Sequence, residues 1–334
     1  MRILQVSSAR NRGGGETHVL GLVEALRARG HEVLVAGRRK GLLDPDIKLP
    51  FMNSADFWTA FRLRSSLKKE SFDIVHAHVA RDYTVVAAAA WGVPNLKVVF
   101  TRHLLYPVKA LPLYRRVDAW IAPTSQILKT LEPLSPKISA VIPNWVDVEK
   151  IKYRPHPLHN PVTIGILGQI SPHKGHDDAI EAMRELGTGF HLFIAGTGES
   201  KYVDGVKKKS AGLQVEFLGF VSLSDLFEAV DVLAVPSWEE PFGIVLLEAM
   251  AAGIPVVATD RGGPLDIIPT ALDGLLIPPR NPYALADAIR VLAADHERRS
   301  NITRHARTHV EENFDIRKVV PRVEDFYWRV MREV

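Results

Sequence analysis

Two glutamates with seven residues between them, Glu240 and Glu248, stand in the stretch PSWEEPFGIVLLEAMAAGIPVVATDRGGPLD, from Pro236 to Asp266. Paired carboxylates are candidates for acid/base work, and they also accept hydrogen bonds from hydroxyls. A Pro-Phe-Gly turn separates the two, and Ile244 to Ala252 carries helix-forming residues with an apolar stripe, so a helix is expected to start at Gly243. Glu240 then lies in the loop before that helix and Glu248 in its second turn. Unsatisfied N–H groups at a helix start attract phosphate. Phosphate between two hydroxyl-accepting carboxylates describes a nucleotide sugar.

Strand-like runs at Val232–Val235 and Val256–Ala258 flank this block, and the same alternation runs through the chain. Strands are expected at Ile3–Ser7, Glu32–Ala36, Ile47–Phe51, Ile74–Ala77, Val98–Thr101, Ala119–Ala122 and Ala140–Pro143, with helices at Thr17–Arg29, Asp56–Lys69, Thr84–Trp91 and Ser125–Leu131. The rhythm restarts with strands at Val162–Leu167, His191–Ala195 and Val215–Leu218, and with helices at His176–Leu186, Ser224–Ala229 and Pro282–Ala294. Alternating β and α segments imply parallel sheets covered by helices, with ligands outside the carboxyl ends of the strands. The proline-rich run KYRPHPLHNP, Lys152 to Pro161, interrupts the pattern and reads as a linker. A length of 334 residues suggests two domains.

Other candidates follow strands. Gly13, Gly14 and Gly15 precede the first helix without completing a GxGxxG fingerprint. Lys174, in GQISPHKGHDDA, stands before a helix, where it would meet a phosphate as a point charge or remain a solvated lysine. Gly196 and Gly198 suit close approach by a flat base, or simply a turn. His76, His78 and His103 fall at strand ends; hydrogen bonding to a substrate hydroxyl suits them better than metal, and His76 also reads as a structural histidine. Neither a GxSxG elbow nor a Walker pattern occurs.

The composition is that of an average soluble protein, with 46% hydrophobic and 24% charged residues. The absence of cysteine excludes disulfides and thiolate chemistry. Neither a signal-peptide pattern nor a run of 18 apolar residues occurs, so a cytoplasmic enzyme is expected. The net charge of +4 is divided: residues 1–154 carry 24 Lys and Arg against 13 Asp and Glu, and residues 155–334 carry 18 against 25. A basic half accommodates an anionic lipid surface, a charged saccharide or nucleic acid, or is charge drift without consequence; no nucleic-acid-binding module accompanies it. Phe57, Trp58 and Phe61 lie on a helix with Arg62, Arg64, Lys68 and Lys69, and LLYPVKALPLYRR, Leu104 to Arg116, is a second apolar–basic stretch. Such a helix either lies on an anionic membrane or turns its apolar face to the core, the latter being the commoner case.

The ordered set GGGE, PNWVD, GQISPHKG, AGTGE, FLGFV, EEPFGIVLLEAMAAGIPVVATDRGG and DGLLIPP resembles the retaining glycosyltransferases of family 4 over almost the whole length. The resemblance implies the GT-B fold, two Rossmann-like doubly wound parallel-sheet domains facing a central cleft. Residues 1–152 would form the acceptor domain, 153–314 the donor domain, and 315–334 a C-terminal helix packing back on the first. It implies transfer of a sugar from a nucleotide diphosphate sugar, UDP before GDP, to a saccharide or lipid-linked hydroxyl in cell-envelope polysaccharide or glycolipid synthesis. The anomeric configuration would be kept, with neither metal nor cofactor, and the enzyme would be cytoplasmic or peripheral on the inner face of the plasma membrane. Glu248 would accept from the ribose, Glu240 would hold the transferred sugar with the N–H groups of Phe242 and Gly243, and Ile244 would follow them at the donor. Lys174 and Gly14, with Gly15, would meet the diphosphate and His103 the reacting face, while Gly196, Gly198 and Val221 would line the base. The chain departs from the pattern at Gln169, where the family has an arginine whose loss leaves Lys174 and the helix dipoles to stabilise the leaving group unless Arg10, Arg12 or Arg261 substitutes, and at Trp145 and Asp266. The alternatives are a nucleotide-sugar epimerase of the same fold and a non-catalytic sugar-nucleotide-binding protein.

Overall fold

The computed structural model describes residues 1–9, 14–39, 44–52 and 56–334; Arg10, Arg12 and Gly13 lie outside them. The chain divides into two compact units, Met1–Trp145 with Ile316–Val334, and Val146–Asp315. In the first, strands β1 (Arg2–Ser7), β2 (Glu32–Arg38), β3 (Ile47–Leu49), β4 (Ile74–Ala77), β5 (Lys97–Thr101), β6 (Ala119–Ala122) and β7 (Ile138–Val141) form one sheet in the order β3-β2-β1-β4-β5-β6-β7. Every pairing is parallel. Ile74–Ala77 and Ala119–Ala122 are buried at every position, which is why they are apolar throughout except for His76: helices cover both faces. These helices include α1 (Gly14–Ala28), α2 (Phe57–Glu70), α3 (Tyr83–Ala90) and α4 (Ser125–Lys129).

Asp56 caps α2 by accepting from the Thr59 N–H, and the helix buries Thr59, Ala60, Leu63 and Leu67. The aromatic residues are on the other side: Phe57, Trp58 and Phe61 are 81%, 59% and 66% exposed, and Trp58 stacks on Phe61. The expectation that the apolar residues of this helix face the core is therefore corrected. Leu63 and Leu67 supply the core contact, and the aromatics are left to solvent.

In the second unit, β8 (Val162–Leu167), β9 (Phe190–Ala195), β10 (Val215–Gly219), β11 (Val232–Val235), β12 (Val256–Thr259) and β13 (Leu275–Ile277) form a parallel sheet in the order β10-β9-β8-β11-β12-β13. The order runs outward from β8 in both directions, so the chain reverses between β8 and β11, the crevice where such sheets take ligands. Helices α5 (His176–Leu186), α6 (Ser200–Lys209), α7 (Leu223–Ala229), α8 (Ile244–Ala252), α9 (Pro264–Ile267), α10 (Pro282–Ala294) and α11 (His296–Asn313) complete the unit.

Helix α12 (Ile316–Glu333) buries Val319, Val320, Val323, Phe326, Tyr327 and Val330. That three-and-four spacing makes one stripe, which joins Val19, Leu22, Val23 and Leu26 of α1 in the core of the first unit. The break between units falls at Trp145–Val146 rather than in the proline-rich segment. Tyr153 packs against Gly253 and Arg154 donates to the Ala252 carbonyl, so that segment belongs to the second unit. Among the described residues, no helix is long and apolar enough to cross a membrane.

Candidate functional site

The loop after β11 carries Ser237, Trp238 and Glu240, and its shape is fixed by the loop after β12. Glu240 pairs with Gly262, the Gly263 N–H donates to the Glu240 carbonyl at 2.7 Å, and Thr259 Oγ1 donates to the Ser237 carbonyl at 2.5 Å. A Cβ on Gly263 would lie 2.0 Å from the Phe242 carbonyl oxygen, so only glycine fits between the two loops. Gly243, at φ 97°, turns the chain in the left-handed region and starts α8. Among the described residues, the N–H groups of Gly243 and Ile244 donate to no protein group, as expected at a helix start. Phe242 is buried in the core beneath.

Glu240 is 8% exposed and its Oε2 accepts from Lys174 Nζ at 2.6 Å and from Ser237 Oγ at 3.1 Å. The structure thus joins two residues whose expected roles were separate, a cation for phosphate and a carboxylate for hydroxyls. Gly175 makes this possible: its φ is 72° and a Cβ there would lie 2.0 Å from the Pro236 carbonyl oxygen, so the loop after β8 lies directly on the loop after β11. Trp238 N–H also donates to the His173 carbonyl at 2.8 Å. Glu248, one helical turn further along α8, is partly buried, and desolvation pushes its carboxyl up to about 7.

Gly196 and Gly198 follow β9, and their lack of side chains has a local cause. A Cβ on Gly196 would lie 1.8 Å from the Gly168 carbonyl oxygen, and one on Gly198 2.0 Å from that of Ile170. The loops after β8 and β9 therefore run in contact, with Gln169 exposed between Gly168 and Ile170, and the Gly196 N–H donates to the Gly219 carbonyl at 2.6 Å. Val221 lies two residues after Gly219 and packs on the core, while Phe220 is 89% exposed. Lys174, Gln169, Gly196, Gly198, Val221, Glu240, Phe242, Gly243, Ile244 and Glu248 all lie in the second unit, on or after the carboxyl ends of its strands. Arg261, exposed, occupies the loop that supports Glu240. Sequence reasoning missed Ser237 as a partner of Glu240. It also missed Trp238, whose Nε1 donates to Asp178 at 2.7 Å beneath the Arg280 guanidinium, 4.1 Å from the ring. The only signal for them was proximity to the Glu-Glu pair.

His103, Gly14 and Gly15 belong to the first unit, where Gly14 opens α1. His103 sits beside His18 and His78, with ring centroids 5.7 and 6.4 Å away. Burial, with the adjacent Arg102, lowers the His103 imidazole to about 4, and burial with His103 lowers His78 to about 3. Both rings are neutral at pH 7. His76 is structural: Tyr327 Oη and Thr101 Oγ1 lie 2.6 and 2.7 Å from its two nitrogens. Trp145, where the family pattern has glycine, packs on His18 with the rings tilted by 32° and their centroids 3.6 Å apart, and joins the core of the first unit.

Residues 147–309 match the model for "Glycosyl transferases group 1", and residues 12–150 match that for "Glycosyltransferase Family 4". An uncharacterized glycosyltransferase of Methanocaldococcus jannaschii is 36% identical over 160 residues, which span 44% of this chain and 40% of that relative. A phosphatidyl-myo-inositol mannosyltransferase of Mycobacterium leprae is 29% identical over 321 residues, covering 84% of this chain and 83% of the relative. The fold matches that of Anabaena HepE in complex with UDP-glucose, with a TM-score of 0.86, 21% identity, and 98% and 100% of the two chains covered. The two family models between them run from residue 12 to residue 309, and the chain belongs to the group 1 glycosyltransferases of glycosyltransferase family 4.

Proposed function

We propose that this glycosyltransferase moves a sugar from a nucleotide diphosphate sugar, UDP before GDP, to a hydroxyl of a saccharide or lipid-linked acceptor, with retention and without metal. The observation that carries the reading is the Lys174–Glu240 pair set against the start of α8, with Glu248 on the same helix. One cation and a helix start suit a diphosphate leaving group, and two carboxylates suit the hydroxyls on either side of it. UDP-glucose bound to HepE and the lipid named for the M. leprae relative support the donor and acceptor classes.

In this reading Lys174 exchanges its carboxylate partner for the diphosphate, and Glu240 turns its freed oxygen to the transferred sugar. Glu248 accepts from the ribose. Glu240 positions rather than attacks, so the acceptor proton passes to a donor phosphate oxygen and no sugar–enzyme bond forms. The roles of His103, Gly14 and Gly15 on the first unit belong to the same proposal. A panel of UDP-, GDP- and ADP-sugars in a thermal-shift assay identifies the donor, because the right ligand raises the unfolding midpoint. Nucleotide release that requires an added acceptor supports transfer. Conversion of the donor alone points to an epimerase, and binding without turnover to a sensor.

The acceptor arm includes an anionic membrane surface, supported by the exposed Phe57, Trp58 and Phe61 on the helix that ends in Lys68 and Lys69.

A further inference from the structure

The segment leading into β8 carries His156 and His159 between prolines, and both imidazoles gather at one carboxylate, that of Asp231. Asp231 immediately precedes β11. It therefore lies at the strand-start end of the parallel sheet, opposite the end where Lys174 and Glu240 meet and about 13 Å along a four-residue strand. Its side chain is fully buried. Oδ2 accepts from the Thr163 N–H at 2.7 Å, and the His159 N–H reaches both oxygens at 3.1 and 3.2 Å. His159 Nδ1 lies 2.9 Å from Oδ1, and His156 Nδ1 lies 3.6 Å from the same oxygen.

The carboxylate is supplied with donors before His156 is counted. His156 contributes no hydrogen bond to it, yet its ring is held 5.0 Å from that of His159. Its Nδ1 has only the neighbouring Pro157 carbonyl, at 2.9 Å, and its buried Nε2 has no partner. A structural Asp–His pair does not require this second imidazole. We propose that His156, His159 and Asp231 form a zinc site that fastens the segment entering β8 to the strand-start end of the second sheet.

Ligand spacing supports the assignment. Tetrahedral zinc, with bonds of about 2.0–2.2 Å to nitrogen and oxygen, sets its ligand atoms about 3.4 Å apart. The observed separations of 2.9 and 3.6 Å bracket that value. Two imidazoles and one carboxylate are a borderline donor set suited to zinc rather than to calcium or magnesium. The two N–H bonds to Asp231 fix the carboxylate from behind, as outer partners of metal ligands do. His159 is 43% exposed in its side chain, which leaves a path for the ion and a fourth position for water. On binding, zinc takes the Nδ1 lone pairs of both rings, so the Nδ1 protons that face Asp231 and the Pro157 carbonyl pass through solvent to Nε2 and each imidazole stays neutral.

The test uses the full chain, stripped with chelator and then titrated with Zn²⁺ alone by calorimetry and with Co²⁺ alone by visible absorption. The expected result is one equivalent bound, tetrahedral cobalt bands and a raised unfolding midpoint. His156→Gln removes no hydrogen bond to Asp231 and is expected to keep the native circular dichroism while losing about 100-fold or more in affinity. The His156→Gln, His159→Gln double variant should lose the cobalt bands altogether. Absence of stoichiometric binding overturns the site, as does unchanged affinity in the double variant, which would place the ion on other histidines.

Discussion

Lys174 Nζ lies 2.6 Å from Glu240 Oε2, although 66 residues separate the two in sequence. The contact spans the loops after β8 and β11, the neighbouring strands between which the order of the second sheet reverses. Under the proposed function, the cation that would meet the diphosphate is held by a carboxylate until the donor arrives. The pair keeps Lys174 ordered, and it spares Glu240 the cost of a buried charge without a partner.

Separating the partners tests this arrangement. Glu240→Gln keeps a hydrogen-bonding group and is expected to lower kcat by about 10²–10³-fold with no sugar trapped on the protein. Mass spectrometry of the variant incubated with donor checks the second point, and a covalent adduct in the wild-type protein at Glu240 would reject the positioning role. Lys174→Ala should weaken donor binding as well, because it removes the phosphate partner and leaves Glu240 unpaired.

With Glu248 on the ribose, as proposed, donor binding is expected to depend on pH. Its carboxyl titrates at about 7 because it is desolvated, and only the ionised form accepts from two ribose hydroxyls. Nucleotide affinity is therefore expected to rise between pH 6 and pH 8 and to lose that slope in Glu248→Gln. Stability of the free protein runs the other way. A group whose folded pKa is raised contributes stability below its unfolded pKa, near 4.5, and loses it as pH rises through about 7. Glu248→Gln should accordingly raise the unfolding midpoint at pH 8 and change it little at pH 4. Calorimetric titrations and melting curves across this range check both signs.

His103 should show the opposite behaviour. Burial and Arg102 hold it neutral above about 4, so no activity step between pH 5.5 and 8 belongs to its ionisation. His103→Ala is expected to reduce kcat while leaving the shape of the pH–rate profile unchanged. A lost inflection in that range would contradict the assignment.

Gly263 separates packing from chemistry. Gly263→Ala puts a methyl 2.0 Å from the Phe242 carbonyl oxygen, which costs about 1–3 kcal/mol of overpacking and displaces the Phe242–Gly243 turn. Gly189→Ala, where nothing lies within 4 Å, is the matched control. Loss of stability and activity in the first variant with neither in the second is the expected outcome, read by melting curves and turnover.

The aromatic face of α2 is separable from folding. Phe57, Trp58 and Phe61 are exposed, so replacing all three by serine should leave the unfolding midpoint nearly unchanged. The same variant should lose co-sedimentation with anionic vesicles at low salt. Equal sedimentation of the two proteins, or none of the wild type at either salt, would remove the membrane from the proposal.

Much of the second unit was legible because local patterns and the fold agree there. Val232–Val235 and Val162–Leu167 are strands at the expected bounds, and His176–Leu186 is a helix at the expected bounds. Helices α6 and α11 were not placed. SKYVDGVKKK carries a glycine and a lysine run and buries only Val206, and the single face that α11 buries, Arg299, Ile302, Thr303, Ala306 and Val310, includes an arginine and a threonine, so neither reads as a strong apolar stripe. Strand β13, three residues long, is too short to carry a period.

By itself the sequence determined that Glu240 precedes a helix, that Glu248 rides on it, and that a glycine must make the turn between them, because these follow from helical period and backbone freedom within a dozen residues. The tertiary structure alone decided that Lys174 is the partner of Glu240, that Gly196 and Gly198 are small to admit neighbouring loops, and that Asp231 gathers two histidines about 70 residues upstream. Those pairings depend on which strands lie side by side. Strand order is set by the burial of whole helix and sheet faces, which no local window of the chain contains.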